Sequence, residues 1–278
     1  MSAEASLAVA SPRPTRAQAI PARRVLPGGG VLGPVLLLLA VVVTWDLCVR
    51  VFHLPPYLLP APLDVLARIR QEGGLFLRHG LVTLQVILLG FGISVVFGVL
   101  LALFIVLNRT AERVLMPLIV GSQTIPKVAV APLFVVWLGF GMTPKVVVTF
   151  LISFFPVVVS TVAGLRAIEA DMVDLVRSMG GGPLKVLFKA RIPAALPQMF
   201  AGFKIAITSA VVGAIVAEFV GSDVGLGYLL LTATAAMDGT LVWAALVILV
   251  AMGVGLFAIT IQAERAAIPW HVSMRRSR

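Results

Sequence analysis

The sequence predicts an all-α integral membrane protein with six transmembrane helices. Of its 278 residues, 60% are hydrophobic and only 12% are charged, and the mean hydropathy is +1.07. Soluble domains carry about 25% charged residues, which they need to cover their surface. The charged residues of this chain fall in short blocks between long apolar runs. Most of the chain is therefore expected to lie in a lipid bilayer.

Six apolar segments are long enough to cross a membrane, because a spanning helix needs about 20 apolar residues for a hydrocarbon core of about 30 Å. These segments are 31–52, 81–107, 114–139, 146–165, 198–220 and 240–262. The third contains Pro117, Pro126, Pro132 and Lys127. Cutting it at Pro126 would leave two halves that are each too short to span. We therefore predict a single kinked span.

The distribution of Lys and Arg predicts the orientation of the chain. Six spans put both termini on one side, and that side holds sixteen of the 22 Lys and Arg residues. Because positive charge is retained in the cytoplasm, both termini are expected there. Residues 1–30 are predicted to form a disordered, basic cytoplasmic tail, and residues 266–278 a second basic tail. The transmembrane domain covers 31–265, with a long cytoplasmic loop at about 166–197.

That loop contains "DLVRSMGGGPLKVLFKARIPAALP", residues 174–197. Its pattern predicts a helix, a glycine turn at 180–182 and a second helix that begins at Pro183, where a missing N–H has no cost. The second helix has one apolar face at helical spacing, formed by Leu184, Leu187, Phe188 and Ile192. Two interpretations fit this hairpin. It either lies on the lipid surface, held by its basic residues, or docks onto a soluble cytoplasmic partner.

Several functions are excluded by the motifs of the chain. It contains no G-x-x-x-x-G-K-[ST] sequence, so it is not expected to bind ATP or to act as an enzyme. A single cysteine and three widely separated histidines give no metal-ligand spacing. Because the basic residues are spread between the spans, nucleic acid is not an expected partner.

Two acidic residues fall inside predicted spans, Asp46 and Glu218. An acid at membrane depth is costly and marks a functional candidate. Arg50 lies one helical turn from Asp46, which favours a local ion pair there. For Glu218 two interpretations remain open, a residue of the translocation path and a structural contact.

The loop resembles the cytoplasmic "EAA" loop of ABC-importer permeases, whose pattern is E-A-A, three residues, G, nine residues and I-x-L-P. Anchored on Gly180, the acidic place falls on Asp174, and the proline on Pro193. Leu175 and Val176 replace the two alanines, and Ala190 and Ile192 take the isoleucine and leucine places. Only the glycine and the proline match by identity.

The resemblance continues through residues 31 to 265 and is specific to the nitrate/sulfonate/taurine-type branch of these importers. Five stretches carry it, in the order of that branch: "LLPAPLDVLARI" (58–69), "TLQVILLGFGISVVFGVLLAL" (83–103), "IPKVAVAPLFVVWLGFG" (125–141), "FFPVVVSTVAGL" (154–165) and "AEFVGSDVGLGYLL" (217–230).

The resemblance implies a type I ABC importer permease-like fold in a bacterial inner membrane. It also implies a second permease subunit, cytoplasmic ATPase subunits that use ATP and Mg²⁺, and a periplasmic or lipid-anchored solute-binding protein. The chain itself would need no cofactor, and the solute would pass between two permease subunits surrounded by membrane lipids. The residues expected to couple to the ATPase are Asp174, Leu175, Val176, Arg177, Gly180, Ala190, Ile192 and Pro193. The alternatives are a secondary transporter that uses Glu218 and a membrane scaffold without transport.

Overall fold

The computed structural model describes residues 32–269, which form helices and connecting turns and contain no strand. The predicted tail at 1–30 and residues 270–278 lie outside this range. The described residues divide into two units, with the boundary between Thr44 and Trp45. The helices are α1 (Leu32–Val51), α2 (Pro62–Gln71), α3 (Gly73–Leu107), α4 (Arg109–Ser122), α5 (Lys127–Leu138), α6 (Met142–Arg166), α7 (Ala170–Ser178), α8 (Pro183–Val186), a π-helical segment (Leu187–Arg191), α9 (Ile192–Gly221), α10 (Leu226–Ala235) and α11 (Gly239–Ala267).

The prediction of six spans is confirmed. Within residues 32–269, five helices are long and apolar enough to cross a membrane: α1, α3, α6, the continuous helix Pro183–Gly221 and α11. The pair α4 and α5 forms the sixth when it is taken as one span, and it bends by 95° at a short break. The predicted kink in this span is therefore present, and it lies directly before Lys127. Pro126 caps α5 at the break, while Pro117 and Pro132 stay inside helices.

The spans extend beyond the apolar runs that predicted them. The second span begins at Gly73, eight residues before the predicted start at 81, and the fifth continues to Pro183 through the predicted loop. Two helices that are too short to cross the membrane, α2 and α10, were not predicted. Polar residues at span ends can remain helical, because they lie outside the hydrocarbon layer.

Helix α6 runs parallel to α3 and packs against a stripe of small residues. The stripe has one small residue every four positions and consists of Gly90, Ser94, Gly98 and Ala102, all buried. Ser94 Oγ lies 2.7 Å from Ser153 Oγ on α6. A Cβ on Gly98 would come within 2.7 Å of Val157 Cγ1, so only glycine lets the two helices approach this closely.

Helix α9 packs against another side of α6 in the antiparallel direction. Gly164, near the end of α6, contacts Ala195 at the start of α9, whereas Gly213 near the end of α9 contacts Thr149. A Cβ on either glycine would lie 2.9 Å from a backbone atom of the facing helix. The two contacts place α6 between α3 and α9 and fix the register of all three helices.

The small-residue stripe leads to a stability prediction. We expect Gly98→Val to destabilise the full chain by about 1–3 kcal/mol, because the new side chain would overlap with Val157. Gly92→Val is the matched control, since Gly92 lies on the same helix and a Cβ there meets no atom within 4 Å. Thermal unfolding in detergent compares the two variants. Equal losses would contradict the packing of α6 on α3.

Candidate functional site

The hairpin that joins α6 to α9 is built around a glycine turn. Gly180 has a positive φ of +77° directly after α7. Its N–H donates to the carbonyl of Arg177, and the N–H of Gly181 donates to the carbonyl of Val176, each at 2.9 Å. These two bonds form a Schellman motif, which satisfies the last carbonyls of a helix. The second helix begins at Pro183, so the predicted helix, glycine turn and helix are confirmed.

The prediction of one apolar face on the second helix was wrong. Leu187 is buried, whereas Leu184 and Phe188 are 65% and 63% exposed. The helix passes into a π-helical segment at Leu187–Arg191, whose wider turn changes the register of the residues that follow it. Pro193, just after this segment, has no N–H to donate to the carbonyl four residues earlier, which favours the change of register. The second helix then continues without a break into α9.

The eight predicted coupling residues all lie in this hairpin or at its junction with α9. Asp174, Leu175 and Arg177 are exposed on α7, and Arg177 Nη1 lies 3.4 Å from Asp174 Oδ1. Exposed pairs of this kind contribute little to stability. Val176 is half-buried on α7, and Gly180 lies in the turn. Ala190 is buried, whereas Ile192 and Pro193 are half-buried at the start of α9. The geometry brings the predicted residues together at one end of the molecule.

The hairpin exposes large apolar side chains at its turn and on its second helix. Met179 at the turn is 79% exposed, and Leu184 and Phe188 follow on the second helix. Contiguous exposed apolar surface marks interaction sites. The hairpin therefore offers a docking surface carried by a helix that also crosses the membrane.

At the opposite end of that helix, Glu218 is completely buried. Thr83 Oγ1 on α3 donates to Glu218 Oε1 at 2.8 Å, and the N–H of Gly227 donates to Oε2 at 2.8 Å. Gly227 lies in the first turn of α10. The carboxylate therefore lies at the positive end of this helix, where a negative charge is stabilised.

Two further residues complete this α10 cap, which we define as His79, Thr83, Glu218, Gly225 and Gly227. Thr83 Oγ1 accepts the N–H of Leu226 at 2.8 Å, and His79 Nδ1 lies 3.1 Å from the backbone nitrogen of Gly225. Gly225 has a φ of +130°, and a Cβ there would overlap with the Glu218 carboxylate. The glycines of "VGLGYLL" thus allow α10 to approach the acid.

Sequence reasoning found Glu218 but missed its partners. His79 and Thr83 lie one turn apart at the start of an apolar span, and that spacing was the available signal. Lys145 at the start of α6 is also buried, with Nζ 2.5 Å from Ser222 Oγ in the turn before α10. Glu218 holds α9, α3 and α10 together in this structure. Its role as a translocation-path residue stays a prediction.

Lys127, at the start of α5, lies against the middle of α6. Its Nζ lies 4.2 Å from the ring centre of Phe155. Phe155 is thirteen residues from the start of α6 and eleven from its end, or about 20 Å and about 17 Å along the helix. The ammonium group is therefore near the middle of the span. No carboxylate of residues 32–269 forms an ion pair with it.

A small cavity adjoins this lysine at the bend between α4 and α5. Its volume is about 220 Å³, and it is lined by Ser122, Ile125, Lys127, Val130, Phe134, Val148, Leu151 and Phe155. Non-helical backbone at membrane depth is tolerated where it is buried in protein or lines a cavity. Half-helix N-termini at such breaks point at the solute in many transporters. The bend therefore joins Glu218 as a candidate for the translocation path.

Five long apolar helices, with the bent pair α4 and α5 as a sixth span, define a multi-pass membrane protein. Residues 94–266 match the family described as "binding-protein-dependent transport system inner membrane component". The chain belongs to this family, which consists of ABC permeases that work with ATPase and binding-protein partners.

Individual relatives place the chain among transport permeases of several solutes. It is 38% identical to the formylaminopyrimidine transport permease protein ThiX of Halalkalibacterium halodurans, over 86% of this chain and 96% of the relative. It is 34% identical to the riboflavin transport system permease protein RibX of Chloroflexus aurantiacus, over 87% and 91%. The taurine transport system permease protein TauC of Escherichia coli is 28% identical, over 84% and 88%. The resemblance to the sulfonate/taurine-type branch is confirmed by the last of these.

The fold is similar to a solved ABC permease structure. A chain of the MetNI methionine ABC transporter in an inward-facing conformation matches with a TM-score of 0.60 and 19% identity, over 67% of this chain and 93% of that chain. The type I permease fold is thereby confirmed. Family membership also decides against the two alternatives, a secondary transporter and a scaffold without transport.

The α10 cap leads to a second prediction. We expect Thr83→Val to destabilise the full chain by about 1–3 kcal/mol, because it removes a donor to Glu218 and the acceptor of the Leu226 N–H. Thr83→Ser keeps the hydroxyl and should retain most of the stability. Thermal unfolding in detergent measures both. A Thr83→Val protein as stable as the wild type would show that these bonds contribute nothing.

Proposed function

We propose that this chain forms the path by which a small solute is imported across a bacterial inner membrane, driven by a separate ATPase. The observation that carries the proposal is the continuous helix Pro183–Gly221. It begins in the docking hairpin, crosses the membrane and ends at the α10 cap, and at 1.5 Å per residue its length is about 58 Å. A displacement of the hairpin would therefore move the far end of the span.

The hairpin is the proposed coupling element, and it contains all eight predicted residues from Asp174 to Pro193. Met179, Leu184 and Phe188 would enter a groove on the ATPase, because together they expose apolar surface on the hairpin. ATP and Mg²⁺ would bind only to the partner, since the chain has no phosphate-binding loop. In this scheme the permease contributes no catalytic group.

The solute is proposed to pass between two copies of this chain. Trp137 and Phe140, at the end of α5, are 68% and 84% exposed and would contact the second copy or membrane lipids. The bend before Lys127 would line the path. The ammonium group of Lys127 offers a positive charge and hydrogen-bond donors to an acceptor on the solute. Glu218 would act on the same path by holding α10, with a periplasmic or lipid-anchored binding protein delivering the solute above it.

Both termini and the hairpin are proposed to face the cytoplasm. Sixteen Lys and Arg residues on one side against five on the other support this orientation, with Lys127 left out because it lies near the middle of its span. The basic end of α6 at Arg166 and the hairpin also lie at the same end of the helix bundle. The two basic segments are therefore expected on the same side of the membrane.

Substitution of the turn glycine tests the coupling function. We expect Gly180→Val to leave the amount of protein in the membrane nearly unchanged but to weaken ATPase-subunit binding or abolish uptake. A side chain at a positive φ adds about 1–2 kcal/mol of strain, which would redirect the second helix. Co-purification of the ATPase subunit and uptake into proteoliposomes measure the effect.

Gly182 provides the matched control for this experiment. It lies two residues away at a φ of −69° with open space for a Cβ, so Gly182→Val should bind the ATPase normally and Gly182→Ala should be milder still. If the hairpin only lay on lipid, removing Lys185 and Lys189 would matter more than the glycine change. Full uptake with Gly180→Val would refute the coupling role.

Substitution of Lys127 tests the path. We expect Lys127→Met to lower uptake by about tenfold or more, which corresponds to about 1.4 kcal/mol, while ATPase-subunit binding is retained. Lys127→Arg keeps the positive charge and should keep part of the activity. Solute uptake is measured with the complete transporter in proteoliposomes. Normal uptake by Lys127→Met would remove the bend from the proposed path.

A further inference from the structure

A cavity of about 620 Å³ lies where the spans meet the hairpin. It opens beside the end of α3, the start of α4, the end of α6 and α7. The lining residues are Val106, Arg109, Glu112, Leu165, Arg166, Ile168, Ala170, Val173, Asp174, Arg177 and Arg191. Its volume is in the range of ligand pockets, about 300–1,000 Å³.

The charges of this cavity are not balanced. Four arginines face two carboxylates, which leaves a net formal charge of +2. Glu112 pairs with Arg166, and Asp174 pairs with Arg177. Arg109 and Arg191 form no ion pair with residues 32–269. The cavity therefore has two arginines available for an anion.

Arg191 is the more constrained of these two. Its Nε is fully buried and has no hydrogen-bond partner in the described part of the chain. A buried donor without a partner is costly. Arg191 closes the π-helical segment, and its neighbour Ala190 is buried, so the backbone there is fixed by packing. Arg191 as a whole is half-buried and lines the cavity, so an anion there would be reached by the other atoms of its guanidinium group.

We propose that this arginine cavity binds the phosphate group of an anionic phospholipid of the cytoplasmic leaflet. The inference rests on the orientation proposed above. Basic pockets between transmembrane helices on the cytoplasmic side bind such headgroups, and arginine matches phosphate with two parallel hydrogen bonds. Leu107 is exposed at the end of α3, directly after Val106 of the cavity wall, and offers an apolar surface for an acyl chain.

The position of the cavity favours lipid over an acidic loop of the ATPase. Val106 and Leu165 of its wall belong to the last turns of two spans, at the level of the membrane surface. The exposed apolar residues of the hairpin, Met179, Leu184 and Phe188, are not among the lining residues. Asp174 and Arg177 are shared with the predicted coupling residues, so a lipid bound here would contact α7 while leaving the three exposed apolar side chains of the hairpin free.

The test uses the full-length permease without any ATPase subunit, so that its outcome does not depend on the proposed transport function. Binding of phosphatidylglycerol and of phosphatidylcholine is measured by native mass spectrometry after titration in detergent. We expect a preference for phosphatidylglycerol. The double variant Arg109→Gln, Arg191→Gln should bind phosphatidylglycerol about thirtyfold more weakly. Each arginine near the membrane surface contributes about fivefold to the affinity.

Arg113→Gln is the matched control, because Arg113 is exposed on the same helix as Arg109 and does not line the cavity. The single variant Arg109→Gln is measured as well, so that the test remains valid if the double variant misfolds. Its affinity for phosphatidylglycerol should fall about fivefold. A second arm adds inorganic phosphate as the only anion. Binding of phosphate without a lipid preference would support the phosphate site and assign it to a soluble ligand.

Equal phosphatidylglycerol binding by the wild type and the double variant would overturn the proposal. An equal loss of phosphatidylglycerol binding in the Arg113→Gln control would overturn it as well, because the loss would then come from general surface charge.

Discussion

The close approach of α6 to α3 and α9 is the contact on which the rest of the structure depends. Lipid tails are as apolar as the helix surfaces, so helices in a bilayer associate through van der Waals packing and hydrogen bonds. The glycines at 98, 164 and 213 make this approach possible, because a Cβ at each would meet the facing helix. Both functional ends rely on the resulting register. It positions the turn before α10 beside Lys145 and sets the base of the hairpin against the end of α6.

The elements that were predictable from the sequence are those set by local composition. The lengths of the apolar runs revealed the spans, since the hydrocarbon thickness demands them, and the glycine run before Pro183 revealed the turn. The position of the bend was less accessible. Pro117, Pro126 and Pro132 are equivalent in a sequence, but only Pro126 lies at the break. Proline permits a break, and the packing of neighbouring helices decides which one is used.

The candidate sites were less predictable because their members are distant in the chain. Glu218 stood out as an acid in an apolar run, yet its donor Thr83 is 135 residues away. A polar residue such as Thr83 carries no mark of the helix that it will contact. The same applies to the π-helical segment. The spacing of Leu184 and Leu187 fits an ordinary helix, and the change of register follows from the junction with α9.

The α10 cap and the hairpin belong to one mechanical unit, because the helix Pro183–Gly221 contains both Phe188 and Glu218. Signal transmission over such a distance requires an element that both ends bias. At one end, the acid ties this helix to α3 and to the first turn of α10. At the other end, the Schellman turn fixes α7 to the start of the same helix. A shift of the hairpin would therefore act on the buried hydrogen bonds of the α10 cap. Because each of these bonds is either formed or broken, a small displacement of the hairpin would change the position of α10 at the opposite end of the helix.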